Sequence, residues 1–124
     1  SDYCQCCGYD GEIEIVKDDQ DRSVTILSKG HAGADEPGKD PVCAAVSSHI
    51  FGIGKQLSLV DRKKLNGRVI SVGERDGEAF LQVICKKPRL YRRVMDYLAP
   101  TERSFELLEE HYPEAIHVNR YHKI

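Results

Sequence analysis

Two short segments near the start of the chain alternate polar and apolar residues, and this alternation constrains the fold more than any other feature. Glu12–Lys17 reads EIEIVK, and Ser23–Ser28 reads SVTILS and is rich in β-branched residues. Successive side chains of a β-strand point to opposite faces, so a period of two predicts strands. The intervening DDQD is typical of a turn. We therefore predict an antiparallel β-hairpin.

A long helix is predicted to begin near Pro41. Asp40 is a suitable N-cap, because its carboxylate can accept a hydrogen bond from a free backbone N–H, and proline fits the first helical position. Apolar residues then recur at three- and four-residue steps and predict a core-facing stripe: Val42, Val46, Ile50, Ile53, Leu57 and Val60. Two glycines within this stretch weaken the helix, so it is expected to end either at Phe51 or near Val60.

The second half of the chain predicts another hairpin, a helical region and a last strand. Strands near Arg68–Val72 and Ala79–Cys85 flank Asp76–Gly77, a pair suited to a tight hairpin loop. KKPRLYRRVMDYLA is predicted to be helical until Pro100 kinks or ends it, and a resumed helix follows with Thr101 as its cap. The segment EAIHVNRY is predicted to be the last strand.

The predicted element order is ββαββαβ. This order indicates the α+β class, with two main helices packed on one face of a mostly antiparallel sheet. A chain of 124 residues can bury the core of one domain without disulfides or metals. We expect residues 11–124 to form that domain and residues 1–10 to be a flexible N-terminal extension.

Charge is nearly balanced overall but unevenly distributed. The chain has 18 basic and 20 acidic residues; residues 1–50 carry a net charge of −6 (4 basic, 10 acidic) and residues 51–124 carry +4 (14 basic, 10 acidic). The acidic half could steer a basic partner, although a solvated surface is the alternative. We find neither an apolar run long enough for a membrane helix nor a signal-peptide pattern, and we expect a soluble, cytoplasmic protein.

Residues Gly33–Lys39 match the spacing of a phosphate-binding loop, but their chemistry argues against one. Pro37 removes one of the backbone N–H groups that would cradle a phosphate. Asp35 and Glu36 would place two negative charges beside it. Asp40 stands where the hydroxyl residue that holds magnesium is needed. We therefore treat the match as a chance resemblance and expect no cofactor.

A cysteine and a histidine flank the same glycine-rich loop. Cys43 falls in the first turn of the predicted helix, where free N–H groups and the helix dipole stabilise a thiolate. His31 lies at the predicted end of the second strand, so the loop could bring an imidazole base to the thiol. The alternative is a small buried cysteine and a solvated histidine.

The segment GHAG…GKDPVCAAVSS resembles the signature of the ribosomal-processing cysteine protease family, Prp. Gly30-His31-Ala32 matches its first part, and Gly38, Asp40, Val42–Val46 and Ser47 match its second part. The resemblance extends over the element order and covers Glu12 to about Arg120. It implies a cysteine endopeptidase that removes a short N-terminal extension from a large-subunit ribosomal protein, number twenty-seven.

The resemblance also implies roles for individual residues. Cys43 would be the nucleophile and His31 the general base, with backbone N–H groups of Cys43 and Ala44 holding the oxyanion. Gly30, Asp40 and Ser47 would be supporting residues, although Asp40 is equally well explained as a helix cap. Family members form homodimers, so we expect one here. A non-catalytic, ribosome-associated binding module with the same fold is the alternative function.

Two further features of the sequence are not part of the family signature. The start SDYCQCC carries Cys4, Cys6 and Cys7, which suggest zinc, but no matching cysteine or histidine pair follows, so we expect no metal site. Five cysteines, an odd and clustered set, do not form a disulfide framework. The run KKPRLYRR is basic with an aromatic residue inside it; we interpret it as a solvated helix start and expect no RNA contact.

Overall fold

The computed structural model describes residues 11–29, 41–61, 68–75 and 78–124. In chain order, these residues form β1 (Gly11–Asp18), β2 (Ser23–Lys29), α1 (Pro41–Asp61), β3 (Arg68–Arg75), β4 (Glu78–Cys85), α2 (Pro88–His111) and β5 (Ile116–Lys123). The predicted ββαββαβ order and the α+β class are confirmed. The proposed N-terminal extension and the Asp76–Gly77 turn lie outside the described residues.

The described strands form one sheet in the order β3-β4-β2-β1-β5. Three of the four strand pairs are antiparallel, as predicted, and both hairpins form by pairing of consecutive strands. The exception is β5, which pairs with β1 in parallel, Ile13 opposite Val118. A parallel neighbour requires a long crossover, and α2 supplies it by carrying the chain back along the sheet.

One face of the sheet is buried with a strict period of two. Ile13 and Ile15 of β1, Val24 and Ile26 of β2, and Leu81 and Val83 of β4 are each at most 1% exposed. The register places Ile26 opposite both Ile15 and Leu81, so these side chains form continuous rows across the sheet. A slip of one residue would turn each row to the other face. Burial therefore fixes the register.

Both helices pack on this buried face and contact each other. Buried side chains of α1 are Val46, Ile50 and Leu57, and those of α2 include Val94, Leu98 and Phe105. The His49 ring of α1 meets the Phe105 ring edge-on, with centroids 6.1 Å apart. Burial of a side chain such as Phe105 contributes about 2 kcal/mol. This contact fixes α1 against α2.

The observed helices differ from the prediction at their ends. α1 runs to Asp61, close to the later of its two predicted ends. The prediction of a second helix capped by Thr101 is wrong, because α2 continues through Pro100 as one helix of 24 residues. Leu98, Thr101 and Phe105 are buried around the proline, and the Ser104 hydroxyl donates to the Pro100 carbonyl at 3.1 Å. Tertiary packing thus offsets the hydrogen bond that proline removes.

Polar contacts attach α2 to the edge strand β5. The backbone N–H of Val118 donates to Oε2 of Glu109 at 2.7 Å, and Arg120 Nη2 lies 2.6 Å from Oε1 of Glu106. Glu102 lies 3.2 Å from Lys17 of β1. These ion pairs are partly exposed, and each contributes at most about 1 kcal/mol. They hold α2, the crossover helix, against β1 and β5.

A three-residue cluster joins the β1–β2 turn to α2 and β5. Oδ1 of Asp19 accepts hydrogen bonds from the Tyr91 hydroxyl at 2.9 Å and from the His122 Nε2 at 2.8 Å. The hydrogen bond from His122, followed by that from Tyr91, lowers the pKa of the Asp19 carboxyl. Burial, followed by the hydrogen bond to Asp19, raises the pKa of Tyr91, which keeps its hydroxyl a donor.

Asp19→Asn is expected to lower the melting temperature at pH 7. Because the folded-state pKa of Asp19 lies below its unfolded value, the stabilisation is present above the ordinary aspartate pKa of about 3.9 and is lost as the pH falls through the folded pKa. The difference between wild type and variant should therefore shrink below about pH 4. Thermal unfolding at pH 7 and pH 3 checks this.

Asp21→Asn is the matched control, because Asp21 lies in the same turn, is exposed and contributes only its backbone N–H, to Asp18 Oδ1. Its melting temperature should follow that of wild type at both pH values. An equal loss in the two variants, or a loss in Asp19→Asn that does not change with pH, would contradict the role given to the cluster.

Candidate active site

The structure describes part of the predicted site. Cys43 and Ala44 are the third and fourth residues of α1, so the prediction that Cys43 lies in the first turn of a helix is confirmed. Gly30, His31 and Asp40 lie outside the described residues, as do the side chains in the first turn of α1. Their roles therefore stay predictions.

The core holds the start of α1 in place. Val46 and Ile50, one and two turns beyond the start of the helix, are 1% and 0% exposed. Ser47 is half-buried between them. Ser47 and Ile50 follow Cys43 by four and seven residues, a spacing that stacks positions along one side of an α-helix. The position of Cys43 thus continues the line of Ser47 and Ile50 by one turn.

Backbone electrostatics favour an anion at this end of α1. The N–H groups of the first turn have no partner within the helix, and the helix dipole places partial positive charge there. The first turn contains no acidic residue that would oppose a thiolate. Because α1 is 21 residues long and buried along one side, its first turn is attached to a rigid element. This arrangement suits a reactive cysteine.

The chain leaves the sheet two residues before His31. β2 ends at Lys29 and α1 begins at Pro41, so the predicted strand end and helix start are both confirmed. On the open face of the sheet, Lys29 Nζ lies 3.1 Å from Oε1 of Glu14. This ion pair anchors the last residue of β2 to β1. The segment that carries His31 therefore starts from a fixed point of the sheet.

Ser28 is a residue that the sequence analysis did not single out. It is 6% exposed and lies on the helix-covered face, in register with Val24 and Ile26. A buried hydroxyl is retained in a core when it is hydrogen-bonded. The sequence pattern that points to Ser28 is the alternation of SVTILS, because it places this serine on the apolar side of β2. Ser28 is therefore a candidate positioning residue beside the segment that carries His31.

The described residues contain neither a group of metal ligands nor a helix suited to span a membrane. No group of three histidine, cysteine, aspartate or glutamate side chains is arranged to hold a metal ion there. Neither α1 nor α2 combines the length and the apolar character that a membrane-spanning helix needs. Cys4, Cys6 and Cys7 lie outside the described residues.

Comparisons with known proteins point to one family. The family model described as "Cysteine protease Prp" matches residues 12–117. Among curated protein sequences, none matches this chain. A structure of the essential ribosomal processing protease Prp from S. aureus, with a covalently linked product peptide, has a TM-score of 0.63 and 22% identity. The match covers 89% of this chain and 98% of that one.

Two further structures show the same fold. The S. aureus protease with a substrate peptide has a TM-score of 0.63 and 22% identity, again over 89% of this chain and 98% of that chain. SMU.848 from Streptococcus mutans has a TM-score of 0.66 and 19% identity over 94% of this chain and 97% of that one. The family model covers most of this chain, including Cys43 in its helix. The chain belongs to the Prp family and is a cysteine peptidase.

Proposed function

We propose that this peptidase processes a ribosomal protein, removing the N-terminal extension of a large-subunit ribosomal protein (number twenty-seven) in the cytoplasm. The observation that carries the proposal is the place of Cys43, in the first turn of a helix that the core holds rigidly. The family model and the fold shared with the S. aureus ribosomal processing protease support it. A homodimer is part of the same proposal.

In the proposed mechanism, His31 accepts the proton of the Cys43 thiol and the thiolate attacks the scissile carbonyl carbon. The carbonyl electron pair moves to oxygen, and the N–H groups of Cys43 and Ala44 hold the oxyanion. The C–N bond breaks as His31 returns its proton to the leaving amine. Water, deprotonated by His31, then cleaves the thioester and releases the new carboxylate and the free thiol.

Supporting residues act on the position of the dyad rather than on the substrate. Asp40 would cap α1 and so fix the first turn that bears Cys43. Gly30 would allow the chain to turn between β2 and His31. Ser47, half-buried one turn beyond Cys43, would hydrogen-bond near the site. Their contribution is geometric, and their loss should affect the rate more than the fold.

Cys43→Ala and His31→Ala are each expected to reduce cleavage of the unprocessed ribosomal protein by at least about 10⁴-fold. The double variant should be no slower than either single variant, because nucleophile and base act as one unit. Gel or mass-spectrometric detection of the N-terminal product measures the rate.

Cys85→Ala is the matched control, because it removes one thiol at the end of β4, where Cys85 is 3% exposed and is not assigned to the site. Cleavage should persist in this variant. Cleavage by Cys43→Ala at the wild-type rate would refute the dyad. Absence of cleavage in folded wild type as well as in Cys43→Ala would favour the non-catalytic binding module.

The thiol of Cys43 is expected to react with iodoacetamide well below pH 8.5, where an ordinary thiol is mostly protonated. A variant with Cys4, Cys6 and Cys7 changed to serine isolates Cys43 and Cys85 for mass spectrometry. Cys43 should label faster than Cys85 near pH 7, and His31→Ala should move its pH profile toward that of a free cysteine. A Cys43 profile that already matches free cysteine in the parent protein would contradict an activated thiolate.

Ser28→Ala is expected to lower the cleavage rate about tenfold or more by loosening the segment that follows β2, while changing the melting temperature by only a few degrees, because one hydrogen bond is worth about 1 kcal/mol. Ser23→Ala is the control, a half-buried serine at the opposite end of β2. Equal rates in the two variants would remove Ser28 from the site.

A further inference from the structure

An exposed cluster of positive charge lies where β4 passes into α2. The five residues of this basic segment are all exposed: Lys86, Lys87, Arg89, Arg92 and Arg93. Within the part of the chain that the structure describes, none of the five pairs with a carboxylate. Asp96 follows Arg92 and Arg93 by four and three residues, yet it forms no ion pair with either. Among the described residues, the segment therefore has no direct ion pair.

This charge lies at the end of α2 that repels it. The N-cap Lys87 makes no side-chain capping hydrogen bond, and the first turn contains no acidic residue. The helix dipole is positive here and acts within the first turn, so Lys87 and Arg89 destabilise the helix start. Arg89 also lies three and four residues before Arg92 and Arg93, a spacing at which like charges repel. The arrangement costs stability in the isolated protein, and a bound anion would remove that cost.

Within the described residues, carboxylates of the nearby β1–β2 turn form no ion pair with the segment. Asp18 Oδ1 accepts the backbone N–H groups of Gln20 and Asp21 at 3.0 and 3.1 Å. Asp19 is occupied by its cluster with the tyrosine and the histidine. A further cation, Arg22, donates from Nε to the Cys85 carbonyl at 3.2 Å. Arg22 therefore extends the positive surface at the end of β4.

An exposed aromatic ring borders the same surface. Tyr97 is 37% exposed and follows Arg93 by four residues, which makes the two neighbours on the helix surface. Tyr91, the aromatic residue within KKPRLYRR, is 6% exposed and donates to Asp19, so it cannot stack on a ligand. Arginines beside an exposed ring suit a phosphate backbone whose bases stack on the aromatic face.

We propose that the basic segment and Tyr97 bind single-stranded nucleic acid, with phosphates on the lysines and arginines and one base stacked on Tyr97. The five basic residues are exposed at the start of α2, as expected from the sequence, and the proposal replaces the expectation that this run makes no RNA contact. It also lies away from the proposed peptidase site: Cys85 is near the first residue of β2, whereas His31 follows its last residue. The seven residues of β2 separate these ends by about 20 Å.

The test uses fluorescence anisotropy with a labelled twelve-nucleotide U12 RNA and the corresponding dT12, between 50 and 200 mM NaCl. Arg92→Gln/Arg93→Gln is expected to bind about tenfold more weakly at 50 mM salt, with a log–log salt slope smaller by about 1.4, since each phosphate contact to a single strand contributes about 0.7. Tyr97→Leu should weaken binding about fivefold without changing the slope. Comparison of U12 with dT12 shows whether RNA or DNA is preferred.

Lys55→Gln/Arg103→Gln is the matched control, because it removes the same charge from two exposed sites, one on α1 and one about 15 Å along α2 from Arg93. It should bind both oligonucleotides like wild type. Arg92→Gln/Arg93→Gln should melt at or above the wild-type temperature, because the repulsion of these two side chains by Arg89 is removed. All variants should keep the peptidase activity of the parent chain.

Three outcomes would overturn nucleic-acid binding by the basic segment, and a fourth would overturn the stacking on Tyr97. The first is equal binding by the arginine variant and its control. The second is binding of a twelve-residue polyglutamate as tightly as U12, which would show a surface for acidic protein. The third is a lower melting temperature in the arginine variant together with lost binding, which would give the arginines a structural role. Unchanged binding by Tyr97→Leu would refute base stacking.

Discussion

The single buried face of the sheet is the constraint on which the rest of the molecule depends. Ile13, Ile26 and Leu81, from three adjacent strands, are fully buried, and both helices lie against the face that they form. The start of α1 and the turn before α2 are where they are because the apolar stripes of these helices must meet this face. Each functional surface proposed for this protein is therefore attached, within a few residues, to an element whose register cannot slip.

Much of this fold follows from local patterns in the sequence. Alternation in SVTILS and the three- and four-residue stripe of α1 predict their elements because each pattern reports burial on one side. Pro100 led to the wrong prediction of a helix end. Its local effect is outweighed by the packing of Phe105 and its neighbours, which the local sequence pattern does not show. The parallel pairing of β1 with β5 depends on contacts between residues about 100 positions apart, for which no local signal exists.

In the candidate site, too, local patterns predict some features, whereas others depend on packing between distant parts of the chain. Asp40 and Pro41 predict a helix start, and the structure places Cys43 within the first turn of that helix. The alternation of SVTILS places Ser28 on the apolar side of β2, but its candidacy as a site residue depends on the burial that the structure shows. Tyr91 and Tyr97 are equally plausible as surface aromatics in the sequence, but only the structure separates the tyrosine held by Asp19 from the one beside Arg93. Local chemistry can be read from the chain, whereas exposure depends on the whole fold.

The contact between Glu109 and Val118 has a consequence for how copies of this protein can meet. An edge strand offers outward N–H groups on which another chain can build, and here the Glu109 carboxylate occupies one of them at 2.7 Å. A strand from another chain that pairs with β5 would have to displace the Glu109 carboxylate from the Val118 N–H and leave that carboxylate without its hydrogen bond. Strand addition is thereby discouraged at this position of β5, and in the sheet of the described residues the opposite margin is β3.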